Sequence, residues 1–400
     1  MSRNVIDVDP QKFPWLDLRR YTFCMGAENA GVYYLSGQTA STFDPKEGRV
    51  VCKGDLIEQI KVVYEKLGVV LAAAGLGFEN VVQTVDYIDP VALPQYRQTA
   101  EVRRQYLGNN PVASTGICVE RLLRFDALIE VSLVAMKGEK RAVDPGRERP
   151  RGLTYVPAVE VDDIVWLSGF VGSEEVEGRR QYPQDTSLQV GLAYQTIGEV
   201  LQAAGAAPGD VVKSLDYISP QATHQYRGTG APRREFYGGR YPAATGILIN
   251  RLLRPEGHVE VEAVAVKGGT REEIRIPEWD RRYLRLTYLP GVKKGHMLHV
   301  SGQAAVDHVT GQSVGGFDMA AQADKAYENI AQVLAASGHS MNDVVNTIEW
   351  IAPNGFMGYR GVQEVRRKHF GDSFPSATGV IVHQMLRPEL LIEVTAVAMV

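Results

Sequence analysis

The apolar residues Leu56, Ile60, Val63, Leu67 and Val70 return at helical spacing, a stripe on a helix of roughly four to five turns. Gly75 stands where a C-cap belongs. Ahead of this helix, residues 32–35 are β-rich and run into Ser36-Gly37, which predicts a strand ending in a tight spot. Behind it, 81–88 predicts a strand, and a proline two residues on turns the chain toward a second helix with Tyr96, Arg97, Arg103 and Arg104. Two strands, 114–122 and 128–136, complete the pattern.

This unit is written three times. Ser36-Gly37-Gln38, Ser168-Gly169-Phe170 and Ser301-Gly302-Gln303 lie 132 and 133 residues apart. Asp86-Tyr87-Ile88, Asp216-Tyr217-Ile218 and Glu349-Trp350-Ile351 keep step, as do Thr115-Gly116, Thr245-Gly246 and Thr378-Gly379. Such a period is far beyond the ~20–50 residues of a solenoid unit, so each repeat is domain-sized. We expect domains at 1–140, 150–270 and 280–400. The charged, breaker-rich stretches 137–152 and 267–282 read as linkers. Two helices cover one face of each α+β unit, and the other face needs a second sheet. Three copies answer that need with sheets inside, helices outside, and ligand clefts between neighbours. The expected assembly is a monomeric pseudo-trimer, with further dimerisation left open.

Composition narrows the partners. With 44% hydrophobic residues the 400-residue chain can bury a large core, and a net charge of −4 argues against nucleic acid. No apolar run reaches the ~18 residues of a membrane span, and no signal-peptide pattern opens the chain, so the expected location is the cytoplasm. Cys24, Cys52 and Cys118 show no pairing pattern, and Cys118 reads as a buried thiol. His296 and His299 lie three apart on an expected strand and face opposite sides, which does not suit a shared metal.

The strand into Ser-Gly-Gln, the Leu-x-Ala-x-Gly helix end, the Asp/Asn-Val-Val strand and the final Ile-Glu-Val strand together resemble the Rid (reactive intermediate deaminase, YjgF-like) family. The resemblance covers nearly all of each third. It implies a chorismate-mutase-like α+β fold, a trimer with clefts at its interfaces, and hydrolysis of enamines or imines to ketones and ammonia. It implies neither metal nor organic cofactor, and a small-molecule substrate. Best-known members carry a strand arginine that grips the substrate carboxylate. That position holds Ser114, Ala244 and Ala377. A cysteine that often follows is Gly116, Gly246 or Gly379, which predicts a wider pocket and a substrate larger than 2-aminoacrylate. Two other readings stay open: a chorismatase-like enol-ether hydrolase and a non-catalytic small-molecule binder.

Glu130, Glu260 and Glu393 alternate with apolar neighbours on the last strand and are the candidate acid–base residues. A structural ion pair between repeats is the competing reading. Ser36, Ser168 and Ser301, with Gln38 and Gln303, are candidate substrate contacts; serine before glycine also suits a strand end. Thr115, Thr245 and Thr378 and the tyrosines Tyr155 and Tyr288 complete the candidate set, with Phe23 at the corresponding place in the first repeat. Asp86, Asp216 and Glu349 read as buried structural hydrogen-bonding groups. Arg124, Arg254 and Arg387 read as turn caps or surface ion pairs. Repeat three alone keeps Tyr288, Ser301, Gln303 and Glu393 together.

Overall fold

The computed structural model describes residues 3–147 and 152–400, so residues 148–151 of the first expected linker lie outside the described residues. The chain builds three large mixed sheets. In the first, Val32–Thr39 pairs with Ile129–Met136, which pairs with Val81–Ile88, and this last strand runs parallel to Ala113–Cys118. The second sheet repeats this with Ile164–Leu167, Val259–Val266, Val211–Ile218 and Ala243–Leu248. The third does so with Met297–Ala304, Ile392–Met399, Val344–Ile351 and Ser376–Ile381.

Each sheet carries one long helix: Leu56–Ala73, Thr186–Ala203 and Met319–Ala336. Asp55, Asp185 and Asp318 cap their N-termini by accepting backbone N–H groups, which satisfies donors that have no partner inside the helix. The apolar stripe read from the first repeat is the buried face: Leu56, Ile60, Val63, Leu67 and Val70 are all fully buried. Gly75 follows with a φ of +67°, a conformation that a side chain resists. The second helical region divides into Leu93–Tyr96 and Thr99–Leu107.

The opposite sheet faces meet one another. Val82, Val212 and Val345, and likewise Val134, Val264 and Val397, are corresponding residues of the three repeats, and all six share one apolar cluster. Tyr87 and Tyr217 both pack on Trp350, with ring centroids 6.1 and 6.2 Å away. Apolar burial at about 25 cal/mol per Å² makes this shared interior a main cohesive term between repeats.

The expected strand 114–122 breaks in two. Ala113–Cys118 stays in its own sheet, and Arg121–Leu122 crosses to pair with Ser376–Ile381 of the third. Arg251–Leu252 in turn pairs with Ala113–Cys118, and Leu248 bridges to Gln384. Each repeat thereby covers an edge of another, and the lending runs in a ring. The crossing points converge. Asn250 Nδ2 donates to Glu120 Oε2 at 3.0 Å, and His383 Nδ1 lies 3.1 Å from the same oxygen. Each expected linker contributes an edge strand as well: Lys140–Val143 pairs with Ala158–Val161, and Glu272–Ile274 with Gly291–Lys294.

Cys118 is buried and unpaired as expected. His296 is exposed, whereas His299 is buried. Among the described residues no helix is long and apolar enough to cross a membrane.

Candidate functional site

The strand that enters Ser-Gly does not stop there. In the first and third repeats it continues through a β-bulge, between Leu35 and Gln38 and between Val300 and Gln303. The bulge sets the glycine against the glutamate of the last strand. A Cβ on Gly37 would lie 2.1 Å from Glu130 Oε1; on Gly169 or Gly302 it would lie 2.0 Å from Glu260 or Glu393 Oε1. A side chain at these positions would have to displace the carboxylate that presses on the backbone.

The other side of each candidate cleft comes from a different repeat. Gly37 N–H donates to Thr378 Oγ1 at 3.1 Å, and Gly302 N–H to Thr245 Oγ1 at 2.9 Å. In the second cleft Gly169 N–H instead reaches the Ser114 carbonyl at 3.3 Å, and Thr115 Oγ1 is buried with no hydrogen-bond partner among the described residues.

The serines stitch the same seams. Ser36 Oγ donates to the Cys24 carbonyl and accepts the Ala377 N–H at 2.8 Å. Ser168 joins Val156 to Ser114, and Ser301 joins Leu289 to Ala244. All three are fully buried, with their hydroxyls engaged in both directions. Gln38 and Gln303 donate to the carbonyls of Ser36 and Ser301. Tyr288 packs edge-on to Tyr283 at 5.7 Å, while Tyr155 is exposed.

Burial disfavours the charged carboxylate. It pushes Glu130 and Glu260 up to about 8 and Glu393 to about 7. Lys66 opposes the rise at Glu130, Arg254 opposes it at Glu260, and Arg282 opposes it at Glu393. Glu262, two residues along the strand, adds to it at Glu260. A carboxyl group that changes its protonation near neutrality can both give and take a proton.

A family model described as endoribonuclease L-PSP matches residues 19–137, 148–267 and 283–400. The chain belongs to the endoribonuclease L-PSP family. It holds three Rid-like repeats in tandem. A RutC family protein of Pyrococcus horikoshii is 32% identical over 111 residues, which are 28% of this chain and 85% of the relative. A mouse protein named 2-iminobutanoate/2-iminopropanoate deaminase is 29% identical over 114 residues, covering 28% of this chain and 82% of its own. A chorismatase crystal structure aligns over 80% of this chain and 93% of its own, at 17% identity and a TM-score of 0.49.

In this L-PSP family chain the glycines after threonine do not widen the clefts. A Cβ on Gly116 would lie 2.8 Å from Tyr96 Oη and 2.9 Å from Leu253 Cδ1. Gly246 faces Tyr226 Oη at 2.6 Å, and Gly379 faces Tyr359 Oη and Leu123 Cδ1, both at 2.8 Å. The room is already filled. Each tyrosine donates to the strand carboxylate of its own repeat: Tyr96 to Asp86 at 2.7 Å, Tyr226 to Asp216 at 2.9 Å, and Tyr359 to Glu349.

Ser114, the strand position that lacks an arginine, is contacted by a helix arginine, Arg103, which makes four hydrogen bonds within the protein. Arg103 Nη1 donates to Asp86 at 2.9 Å, Nη2 to Thr84 and Ser114, and Nε to Thr154 of the second repeat. Arg233 and Arg366 pair with Asp216 and Glu349, and Arg366 also reaches Thr22 of the first repeat at 2.9 Å. These buried pairs tie helix to strand, and those of Arg103 and Arg366 also tie one repeat to the next. Arg124 donates to the Val50 carbonyl and lies 3.4 Å from Asp126, and Arg387 donates to the Gly311 carbonyl.

Lys66 and Arg282 were not legible as cleft residues. Lys66 lies on the long-helix stripe only in the first repeat, with Thr196 and Asn329 corresponding to it. Arg282 sits where the sequence looks like a charged linker.

Proposed function

We propose that the clefts hydrolyse imines or enamines, with the buried glutamate as the proton-transfer group and no cofactor. The observation that carries this reading is the contact between each glutamate and the glycine backbone, in a site desolvated enough to hold a proton at neutral pH. A family relative named for iminobutanoate deamination supports the reaction class.

In the proposed cycle the neutral carboxyl gives its proton to the imine nitrogen. The resulting iminium carbon is then open to attack. The carboxylate left behind takes a proton from the attacking water, whose oxygen bonds to carbon. The carboxyl then gives that proton to the amino nitrogen of the tetrahedral adduct; ammonia leaves as the carbon–oxygen double bond forms, and the hydroxyl proton returns to the carboxylate. Water is consumed, and no electron transfer is needed. Serine positions the two strands, and in the first and third clefts the Gly–Thr hydrogen bond holds the seam together.

The three units, at 1–140, 150–270 and 280–400, are proposed to surround a pseudo-threefold axis as a single-chain trimer. The ring of lent strands and the shared valine cluster support it. Gly116, Gly246 and Gly379 add no room for a larger substrate, since tyrosine and leucine side chains fill the space beside them.

The test supplies imines generated in place by an amino acid oxidase and follows ammonia and ketone release. Acceleration by the wild-type chain, lost in a Glu130→Gln, Glu260→Gln, Glu393→Gln variant, is the expected result. No acceleration with any imine in a broad panel would overturn the proposal.

A further inference from the structure

The three clefts differ most in their cations. Beside Glu130, the Lys66 ammonium donates to the Thr39 carbonyl at 2.7 Å, the Ser41 carbonyl at 3.3 Å and Ser41 Oγ at 3.0 Å. An ammonium has three donors, so none is left for a ligand. Beside Glu260, Arg254 is exposed to solvent, and Phe170 replaces the glutamine found in the other clefts.

The third cleft is built differently. The helical turn Asp280–Tyr283 follows Pro277–Trp279, and the two turns bring aromatic rings to it. Trp279 lies on His308 with centroids 4.1 Å apart, and Tyr283 contacts both His308 and Tyr288. His308 Nε2 is 2.8 Å from Gln303 Oε1. The amide nitrogen of Gln303 is held by the Ser301 carbonyl at 3.1 Å, so its oxygen must face the imidazole. His308 Nε2 therefore carries the hydrogen. Arg282, next to Tyr283 in this turn, is half-buried and faces Tyr288 and Glu393, and its buried Nη1 has no hydrogen-bond partner among the described residues.

A buried guanidinium nitrogen without an acceptor costs free energy until one arrives. Guanidinium prefers the planar oxygen pair of a carboxylate. We propose that Arg282 makes the third cleft a binding site for one small monocarboxylate per chain, delivered by the inter-repeat segment rather than by the strand. Its consequence for turnover rests on the imine-hydrolase reading: the third cleft would serve imines that bear a carboxylate. The neutral form of Glu393 removes the charge repulsion that a second carboxylate would otherwise meet.

The experiment titrates the full chain calorimetrically with 2-oxobutanoate and, in parallel, with the uncharged ketone butanone. The expected result is one acid site per chain, weakened about tenfold or more in Arg282→Gln. Arg282→Lys should be intermediate, and Arg254→Gln unchanged. Butanone binding should not respond to Arg282→Gln, which also shows that the variant is folded. Three equal sites, no acid binding, or equal affinity in Arg282→Gln would each overturn the proposal. Ammonia release is read separately: loss of turnover with intact acid binding rejects the hydrolase reading and leaves the Arg282 site standing.

Discussion

Glu393 Oε1 lies 2.0 Å from where a Cβ on Gly302 would have to be, so residue 302 and the carboxyl cannot both grow. Gly302→Ala should push the carboxyl out of the cleft. We expect a stability loss of about 1–3 kcal/mol, as for other overpacked interiors, and loss of turnover at the third cleft. Thermal denaturation and ammonia release check it; an alanine variant indistinguishable from wild type would show that the contact is not tight.

Protonation of the three glutamates links stability to pH. Their folded-state values, about 8, 8 and 7, lie above the ordinary 4.5. The stabilising effect is therefore complete below about pH 4.5 and is lost as pH rises through about 7 to 8. A triple Glu→Gln variant should match wild type in acid and exceed it in alkali, by at most about 1.4 kcal/mol per residue and pKa unit. Urea titrations at several pH values measure this. A constant difference across pH would refute it.

Turnover should follow the same groups. The proposed cycle begins with a proton on the carboxyl, so the rate falls as pH rises through about 7 at the third cleft. A pH–rate profile with no alkaline limb near neutrality would argue against Glu393 as the proton donor.

The serines are expected to matter for assembly rather than for bond making. Ser36→Ala leaves the Cys24 carbonyl and the Ala377 N–H unpaired inside the seam, at about 1–3 kcal/mol. Chemical denaturation reads the loss. A large fall in kcat with unchanged stability would instead assign the hydroxyl to the reaction.

Asp86 and Arg103 are both fully buried, so removing one strands the other. Asp86→Ala should cost about 3–5 kcal/mol, whereas Arg104→Ala, on the exposed side of the same helix, should stay within about 0.5 kcal/mol. Comparable effects of the two changes on the denaturation midpoint would contradict the assignment.

What could be read from the sequence was local. The stripe from Leu56 to Val70 and the αL glycine at 75 carry their own signals, because helix periodicity and φ preference act within a few residues. Glu130, Glu260 and Glu393 were visible as polar residues alternating with valine and isoleucine. The reason for the glycine at 37 was not visible, since the atom that forbids a side chain belongs to residue 130. The break after Cys118 was hidden for the same reason: its new partner is Ile381. Arg282 looked like one charge among several in a polar stretch, and only its half-buried place beside Tyr283 and Glu393 distinguishes it from the exposed Arg281. Lys140 and Arg141 were read as linker residues because an edge strand, solvated along one side, has the composition of a loop.

The meeting of Glu120, Asn250 and His383 on one oxygen has a consequence for how such a chain evolves. Three copies of a single short gene would have to bring three like residues to that junction: three carboxylates, three amides or three imidazoles. Three carboxylates would repel one another. Fusion releases the positions from sameness. One copy can supply the acceptor and the others the donors, and a later change in one need not be repeated in its siblings. The junction is a heterotypic contact written in one reading frame, open to selection one letter at a time.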